Sequence, residues 1–196
     1  MRRAVDFSDR PTSEQLDREL HRVEASIEAR KAIWSAVKTL LVFAAIAIMV
    51  SNLWLPAYRV QSGSMEPTLR DGDILVAVTP AGIRRGDIIA FNYNNQGLIK
   101  RVIAMDGDVV DIDAEGAVSV NGEPLTEPYV TELDLGNCTI KLPYQVPIGQ
   151  YFVIGDNRVA SLDSRDASFG TLRREQITGR ALVRVWPMQK IGLIAS

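Results

Sequence analysis

A stretch in which one serine precedes and one follows a glycine is a candidate loop for a nucleophile. Residues 61–69 read QSGSMEPTL, and Pro67 ends any regular structure there. Because Gly63 has no side chain, another chain can approach the backbone closely beside Ser64. An ordinary polar turn has a similar composition, so this stretch alone leaves both interpretations open.

The bases and metal ligands that usually accompany a nucleophile are scarce in this chain. His21 is the only histidine, and an apolar segment expected to cross a membrane separates it from the serines, which excludes a Ser-His-Asp triad. Cys138 is the only cysteine, so it would be the sole soft ligand of a zinc site and no intrachain disulfide can form. A phosphate-binding P-loop is also absent from the sequence.

Lysine is the remaining base for a serine nucleophile, and three lysines follow the apolar segment: Lys100, Lys141 and Lys190. A lysine with its ordinary pKa of about 10.4 is protonated at neutral pH, whereas burial in an apolar site favours the neutral amine. Lys100 meets this need best, because its apolar neighbours at 98–99 and 102–103 would bury it within a strand. A solvated lysine on a strand face is the alternative.

A third polar cluster directly follows an apolar strand. Residues 155–165 read GDNRVASLDSR and combine hydroxyl, carboxylate and guanidinium groups. Ser161 has a hydroxyl that can hydrogen-bond with a lysine amine. Either of two carboxylate–guanidinium contacts can hold such a loop together: Asp163 with Arg165, or Asp156 with Arg158. Taken alone, the cluster is also compatible with a polar surface turn.

An uncharged run precedes all three clusters and predicts a membrane anchor. Residues 39–55 read TLLVFAAIAIMVSNLWL, which at about 1.5 Å per residue covers roughly 25 Å. Extending the helix back to Ala32 makes it long enough to span a bilayer, with Trp34 and Trp54 at the two interfaces. We therefore expect one transmembrane helix over residues 32–55. A cleaved signal peptide and a buried core helix are the alternatives.

Residues 1–31 are expected to form a cytoplasmic segment with a short amphipathic helix. Thr12 and Gln15 resemble a capping box. Apolar residues then follow at helical spacing: Leu16, Leu20, Val23 and Ile27. Three basic residues flank the anchor on its amino side, Arg30, Lys31 and Lys38, against Arg59 alone close by on the other side. This asymmetry places the amino terminus in the cytoplasm and residues 56–196 outside it.

The third domain, residues 56–196, has the pattern of an antiparallel β domain. Short apolar runs at spacings of about ten residues are separated by glycine and proline, and Asn121-Gly122 is the strongest hairpin signal. The predicted strands are 73–78, 87–93, 97–105, 109–112, 118–120, 151–154 and 181–186. The predicted fold class is therefore mainly β, an antiparallel or barrel-like sheet preceded by the anchor and the short amphipathic helix.

Composition narrows the partners of this domain. The 196 residues are 46% hydrophobic and 23% charged, as in ordinary globular proteins, and the net charge is −2. The part beyond the anchor is mildly acidic and has no stripe of lysine and arginine that could neutralise phosphates. Nucleic acid is therefore not an expected partner.

Taken together and in order, these segments resemble the type I signal peptidases. The resemblance rests on SGSMEPTL at 62–69, on RGDIIAF through LIKRVIAMDGD at 85–108, on GDNRVASLDSR at 155–165 and on ITGRALVRVWP at 177–187. It covers essentially all of residues 60–187. The family resemblance implies a mainly β fold with a hydrophobic face near the membrane.

The resemblance also implies a role for each polar group. Ser64 would be the nucleophile, Lys100 the general base, and Ser62 would lend its hydroxyl to the oxyanion hole beside the backbone N–H of Ser64. Ser161 would orient the Lys100 amine. Asp163 and Arg165 would brace the loop that carries it.

The implied substrate is an extended peptide that adds a strand beside the residues leading into Ser62. Shallow pockets would select small side chains at the −1 and −3 positions, in an Ala-x-Ala-like pattern. The residues that fall where the family builds these pockets are Tyr58, Val60, Gln61, Leu69 and Ile99. The implied partners are preproteins bearing signal peptides and the lipid bilayer, and the implied chemistry uses no metal or other cofactor.

The sequence thus predicts a membrane-anchored serine endopeptidase that removes signal peptides from exported preproteins. A maturation protease of the same chemistry with few client proteins is one alternative. An anchored β domain that binds peptides without cutting them is another.

Overall fold

The structure is a computed structural model that describes residues 13–54, 56–79 and 82–194. The chain divides between Ser51 and Asn52 into an N-terminal helical unit and a second unit that contains all the described strands. The sequence-based prediction placed the boundary between residues 55 and 56.

A single helix, α1 (Ser13–Trp54), occupies the described part of the N-terminal region. The two predicted helices are therefore one continuous helix of 42 residues, which corrects the expectation of a separate short amphipathic helix. The reason is that no glycine or proline interrupts the sequence between Pro11 and Pro56. Thr12 of the predicted capping box and Leu55 at the end of the predicted span lie outside the described residues. Within the described part of the chain, α1 is long and apolar enough to cross a membrane.

The described part of the second unit contains twelve strands. In chain order they are β1 (Ala57–Arg59), β2 (Ile74–Val78), β3 (Ile88–Tyr93), β4 (Gln96–Met105), β5 (Val109–Ile112), β6 (Val118–Val120), β7 (Glu123–Pro124), β8 (Tyr144–Gln145), β9 (Gln150–Ile154), β10 (Leu172–Arg173), β11 (Ile177–Trp186) and β12 (Gly192–Leu193). Every pairing between them is antiparallel.

The strands form two sheets. The larger sheet has the order β1-β2-β11-β3-β4-β9-β10, with β12 added beside β11, and the smaller has the order β7-β6-β5-β8. Among the described residues the larger sheet starts at β1 and ends at β10 without closing into a ring. The predicted fold class, a mainly β antiparallel domain preceded by one apolar helix, is confirmed.

The hairpin predicted at Asn121-Gly122 joins β6 to β7. Both residues have positive φ angles, 56° and 81° respectively. A tight two-residue turn between twisted strands needs this backbone conformation, and asparagine and glycine adopt it at the least cost. The side chain of Asn121 also closes the turn, since its amide accepts from Val109 N–H and donates to Asp108.

Strand β4 lies between β3 and β9 in the larger sheet, and it provides positions where a lysine can be buried. Its residues from Lys100 to Ala104 are all buried, because apolar clusters cover both faces of the sheet. Ile103 packs in one cluster and Val102 in a second, whereas Ile99 is partly buried against a third. A side chain between positions 100 and 104 of β4 is therefore removed from water whichever face it occupies.

Candidate functional site

The turn that carries Ser64 is fixed to the core by apolar side chains. Ser62 has extended backbone, and a short 3-10 helix, Gly63–Met65, follows it. The side chains of Val60, Met65 and Leu69 pack together in one buried cluster. Their burial holds the polar residues between them at the surface of the core, with Ser64 8% exposed.

The Lys100 amine lies directly against the Ser64 hydroxyl. Lys100 Nζ is 2.6 Å from Ser64 Oγ, although the two residues are 36 positions apart in sequence. The Lys100 side chain is only 3% exposed. A nucleophile and a base at hydrogen-bond distance, with the base withdrawn from water, are the arrangement that serine activation requires.

Burial also sets the ionisation of this amine. The pKa of Lys100 is lowered from 10.5 to about 8, chiefly because burial disfavours the ammonium form. The carboxylates of Asp163 and Asp156 oppose this shift, whereas the guanidinium of Arg165 adds to it. A substantial fraction of the amine is therefore neutral near pH 8, and neutral amine is what a general base needs.

Ser62 contributes a second hydroxyl at the same place. Its Oγ lies 3.0 Å from Ser64 Oγ. Ser62 has extended backbone and Ser64 lies in the 3-10 helix that follows, and this turn brings the two hydroxyls together. A group that reacts with Ser64 would therefore meet the Ser62 hydroxyl as well.

The 155–165 loop is held together by one buried ion pair. Arg165 Nε and Nη2 donate to the two carboxylate oxygens of Asp163, at 2.9 and 3.0 Å. Asp163 also accepts the backbone N–H of Gly155 at 3.1 Å, which closes the loop on its own first residue. Of the two contacts that the sequence suggested for this loop, the Asp163–Arg165 pair is the one present.

Asp156 and Arg158 have partners elsewhere, so the alternative Asp156–Arg158 pair is wrong. Arg101 Nε and Nη2 donate to the two oxygens of Asp156, at 2.9 and 2.8 Å. Thr68 Oγ1 donates to the same carboxylate at 2.5 Å. Arg158 pairs with Glu127 instead. The Arg101–Asp156 pair thus ties strand β4 to the loop beside Lys100.

Asn157 joins this loop to the nucleophile turn, a role that the sequence analysis did not assign. Its backbone N–H donates to the carbonyl oxygen of Ser64 at 3.1 Å. Its side-chain Nδ2 donates to the carbonyl oxygen of Gly63, also at 3.1 Å. The only sequence signal was its place in the GDNR segment of the loop.

Ser161 does not contact the lysine amine as the resemblance implies. Its Oγ is buried, but it has no hydrogen-bond partner among the described residues. The hydroxyl packs closely against Gly155, which leaves room for it only because glycine lacks a Cβ. The structure therefore places Ser161 beside the Ser64 turn without the predicted hydrogen bond to Lys100.

A cleft of about 500 Å³ opens at Ser64. It runs between the residues that lead into Ser62 and the first half of β4. Its lining comprises Arg59, Val60, Gln61, Ser62, Ser64, Met65, Asn95, Gln96, Gly97, Leu98 and Ile99. Polar groups and apolar groups thus both face the space in front of the nucleophile.

Some of the predicted substrate-binding residues line this cleft and others do not. Val60, Gln61 and Ile99 line it, as the resemblance implies. Leu69 does not, because its side chain is fully buried in the cluster beneath the turn and supports the turn from within. Tyr58 lies one strand position further back on β1 and is also outside the lining. The sequence analysis did not predict that Met65 and the β3–β4 hairpin would also line the cleft.

The edge of β4 that borders the cleft is suited to a peptide. Strand β3 pairs with β4 from Gln96 to Arg101, whereas β9 pairs with β4 only from Arg101 to Met105. Residues 96–99 therefore extend beyond β9, and they line the cleft. An extended peptide can add to such an edge through main-chain hydrogen bonds.

This site has the parts of a serine hydrolase that uses lysine as its base: a hydroxyl, a buried amine against it, a second hydroxyl and an extended cleft. Among the described residues, no group of three or more histidine, cysteine, aspartate and glutamate side chains is arranged to hold a metal ion.

Comparison with known proteins gives the family. The family model of signal peptidase, peptidase S26, matches residues 33–186. The chain is 30% identical to signal peptidase I of Bacillus licheniformis, over 86% of this chain and 96% of that protein. It is 35% identical to the probable signal peptidase I-2 of Synechocystis, over 80% of this chain and 75% of that protein.

The chain therefore belongs to the signal peptidase, peptidase S26 family, and it is a serine peptidase. This confirms the resemblance found in the sequence. A crystal structure of a signal peptidase I from Enterococcus faecalis also matches, with 32% identity, 51% of this chain and 97% of that chain covered, and a TM-score of 0.42.

Proposed function

We propose that this protein is a membrane-anchored endopeptidase that removes signal peptides from exported preproteins, with Ser64 as nucleophile and Lys100 as general base. The contact between Lys100 Nζ and Ser64 Oγ, at 2.6 Å and buried, is the observation that carries the proposal. The family names of the relatives support the substrate class, since they are signal peptidases.

The first half of the reaction forms an acyl-enzyme. Neutral Lys100 accepts the Ser64 proton as Ser64 Oγ attacks the scissile carbonyl carbon, and negative charge develops on the carbonyl oxygen. The Ser62 hydroxyl and the Ser64 backbone N–H are the donors for this oxyanion, and one such donor is typically worth about 3 kcal/mol. The lysine ammonium then gives its proton to the leaving amine, which departs as the new N-terminus of the mature protein.

The second half hydrolyses the ester. Neutral Lys100 takes a proton from a water molecule, and the resulting hydroxide attacks the ester carbon. The same oxyanion donors act again, and Ser64 recovers its proton from Lys100. The Ser64 proton thus ends on the leaving amine and a proton from water replaces it, so Ser64 and Lys100 finish one turnover in their starting states.

The cleft supports an extended substrate with small side chains beside the nucleophile. The peptide would lie along residues 96–99 and add its own strand to the free edge of β4. Val60, Gln61 and Ile99 would contact the −1 and −3 side chains, because they line the cleft next to Ser64. The family resemblance implies that these substrate side chains are small, in an Ala-x-Ala-like pattern.

The membrane arrangement that we propose has α1 as a single anchor, with its amino end in the cytoplasm. Arg30, Lys31 and Lys38 on the amino side of the apolar run support this orientation. The second unit also exposes large apolar side chains near the end of the chain: Trp186, Met188, Ile191 and Leu193. An apolar surface of this kind favours contact with the lipid surface. Proteolysis of the protein in sealed vesicles of known orientation tests the topology.

The test of the chemistry is cleavage of a preprotein in detergent by the wild type, Ser64→Ala and Lys100→Ala, with the cut site determined by mass spectrometry. We expect only the wild type to cut, after a small residue. Cleavage by Ser64→Ala at the wild-type rate would disprove the proposed pair. It would mean that another residue is the nucleophile, whereas absence of cleavage by the wild type would support a β domain that only binds peptides.

A protease dedicated to a few client proteins remains the second candidate, because its chemistry would be identical. A panel of unrelated preproteins separates the two. Cleavage of several supports a general signal peptidase, whereas cleavage of one alone supports the dedicated enzyme.

A further inference from the structure

The segment between β7 and β8 contains no strand, yet it is firmly attached to the 155–165 loop. We refer to residues 127–136 as the strap. Arg165 Nη1 donates to the strap carbonyls of Asp134 and Leu135, at 3.1 and 3.0 Å. Leu135 is partly buried against the cluster that contains Ile103 of β4. The strap is thus held by the core and in turn holds the loop.

Glu127 makes the strongest of these attachments. Its carboxylate Oε1 accepts from Arg158 Nη2 at 2.5 Å and from the Tyr129 hydroxyl at 2.8 Å. The two charged side chains are almost fully enclosed, with Arg158 1% and Glu127 4% exposed. Loss of the acceptor would leave this deeply buried guanidinium without a partner for Nη2, which is costly in free energy.

Arg158 transmits this contact to the nucleophile turn. Its Nε donates to the carbonyl oxygen of Gly155 at 3.2 Å. Gly155 in turn packs against the Ser64 carbonyl oxygen and the Ser161 hydroxyl, so closely that a Cβ would not fit. The next residue but one, Asn157, is hydrogen-bonded to Gly63 and Ser64. The position of Arg158 therefore determines how the 155–158 turn meets Ser64.

A second contact runs from the strap to the other side of the same turn. The Arg101 guanidinium lies over the Tyr129 ring, 3.7 Å from its centroid. Arg101 holds both oxygens of Asp156, which immediately follows Gly155. Because Tyr129 donates to Glu127, one strap carboxylate organises both arginines that position the turn.

We propose that Glu127 is a positioning residue for the serine–lysine pair, acting through Arg158 and the 155–158 turn without touching the substrate. This inference rests on the proposed function. Without Glu127, the buried Arg158 must seek another acceptor, and its bond to the Gly155 carbonyl is lost. A displacement of about 1 Å at the reacting atoms costs on the order of 100-fold in rate, so the effect falls on kcat.

The test measures kcat and KM for preprotein cleavage, together with thermal unfolding, on the full chain in detergent. Glu127→Ala is expected to lower kcat by roughly 10- to 100-fold with KM within about twofold of the wild type. Glu127→Gln keeps the Oε1 acceptor for Arg158 and Tyr129, so it is expected to retain kcat within about threefold. The matched control is Glu123→Ala, which removes an exposed glutamate of β7.

The pairing is tested by a double-mutant cycle. If Glu127 acts through Arg158, the double variant Glu127→Ala/Arg158→Ala loses no more kcat than the worse single variant. Additive losses would overturn the inference, as would a Glu127→Ala enzyme with the kcat of the Glu123→Ala control.

If Glu127→Ala does not fold, the variant Arg158→Lys tests whether the position of Arg158 affects kcat. A lysine can still pair with Glu127, but it cannot also reach the Gly155 carbonyl in the manner of a guanidinium. We expect about a tenfold loss of kcat with KM unchanged, and wild-type kcat would overturn the inference. Absence of cleavage by the wild type and by Glu123→Ala would instead remove the proposed function, and this inference with it.

Discussion

The backbone N–H of Asn157 donates to the carbonyl oxygen of Ser64 at 3.1 Å, so the loop that carries Ser161 and Asp163 is attached directly to the proposed nucleophile. Two distant parts of the sequence are therefore joined at the site, and changes to either part are expected to alter the geometry of Ser64.

The pH dependence of activity should follow Lys100. The pKa of this amine is lowered to about 8 by burial, and only the neutral form accepts the Ser64 proton. We expect log(kcat/KM) to rise with a slope of one up to about pH 8 and then to level off. The control is Lys141→Met, at an exposed lysine, which should leave the profile unchanged. A profile that is flat between pH 6 and 9 would contradict the prediction.

Replacing the base should stabilise the protein while abolishing activity. Below its folded-state pKa of about 8, Lys100 is a buried charge, and a shift from 10.5 corresponds to about 3 kcal/mol of unfavourable free energy. We expect Lys100→Met to raise the free energy of unfolding at pH 7 by roughly 1–3 kcal/mol.

The sign of this effect can be checked by raising the pH. Between about pH 8 and 10.5 the unfolded wild type binds more protons at Lys100 than the folded form does, so its stability rises with pH. Lys100→Met lacks this rise, and its advantage in thermal unfolding should shrink as the pH approaches 10.5. An advantage that grows over this interval would contradict the prediction.

Gly155→Ala should disrupt the site from within. The added methyl group would meet the Ser161 hydroxyl and the Ser64 carbonyl oxygen, and overpacking of this kind costs about 1–3 kcal/mol of stability. We expect kcat to fall by about 100-fold or more, because the displaced carbonyl oxygen belongs to Ser64, the proposed nucleophile. Gly192→Ala is the matched control, since a methyl group there meets nothing within 4 Å.

Asn157→Asp should remove the side-chain hydrogen bond to Gly63 while keeping the backbone hydrogen bond to Ser64. The carboxylate can still accept the N–H of Ala160, but it cannot donate to the Gly63 carbonyl and places negative charge beside it. We expect about a tenfold lower kcat and a loss of about 1–2 kcal/mol in stability. Kinetics and thermal unfolding measure both, with Asn92→Asp on the exposed face of β3 as the control. Equal kcat in the two variants would contradict the proposed role.

Strands bracketed by strong turn residues could be predicted to the residue. The predicted ranges 109–112 and 118–120 coincide with β5 and β6, because glycine-containing turns limit both. Strand β11 instead starts at Ile177, four residues before its predicted start, since β3 pairs with its first part. Strands β7 and β8 have two residues each, which is too few to show an alternation of apolar and polar residues. They are recognised as strands only by their pairing with neighbouring strands.

The parts of the site that depend on long-range partners could not be predicted. The pairing of Arg158 with Glu127 joins residues 31 positions apart, and nearby Asp156 appeared to be the natural partner. Asp156 is taken by Arg101 and Thr68 instead. Which of several acceptors a buried guanidinium selects depends on the packing of the whole domain.

The Ser64 hydroxyl has one hydrogen but two polar neighbours, Lys100 Nζ and Ser62 Oγ. When the amine is neutral, that hydrogen points to the amine, so the contact with Ser62 persists only with Ser62 as the donor. In the proposed reaction, the Ser62 hydrogen therefore faces the Ser64 oxygen before acylation and becomes free to turn toward the oxyanion once that oxygen bonds to carbon. The rotation of one hydroxyl would then couple proton abstraction to charge stabilisation.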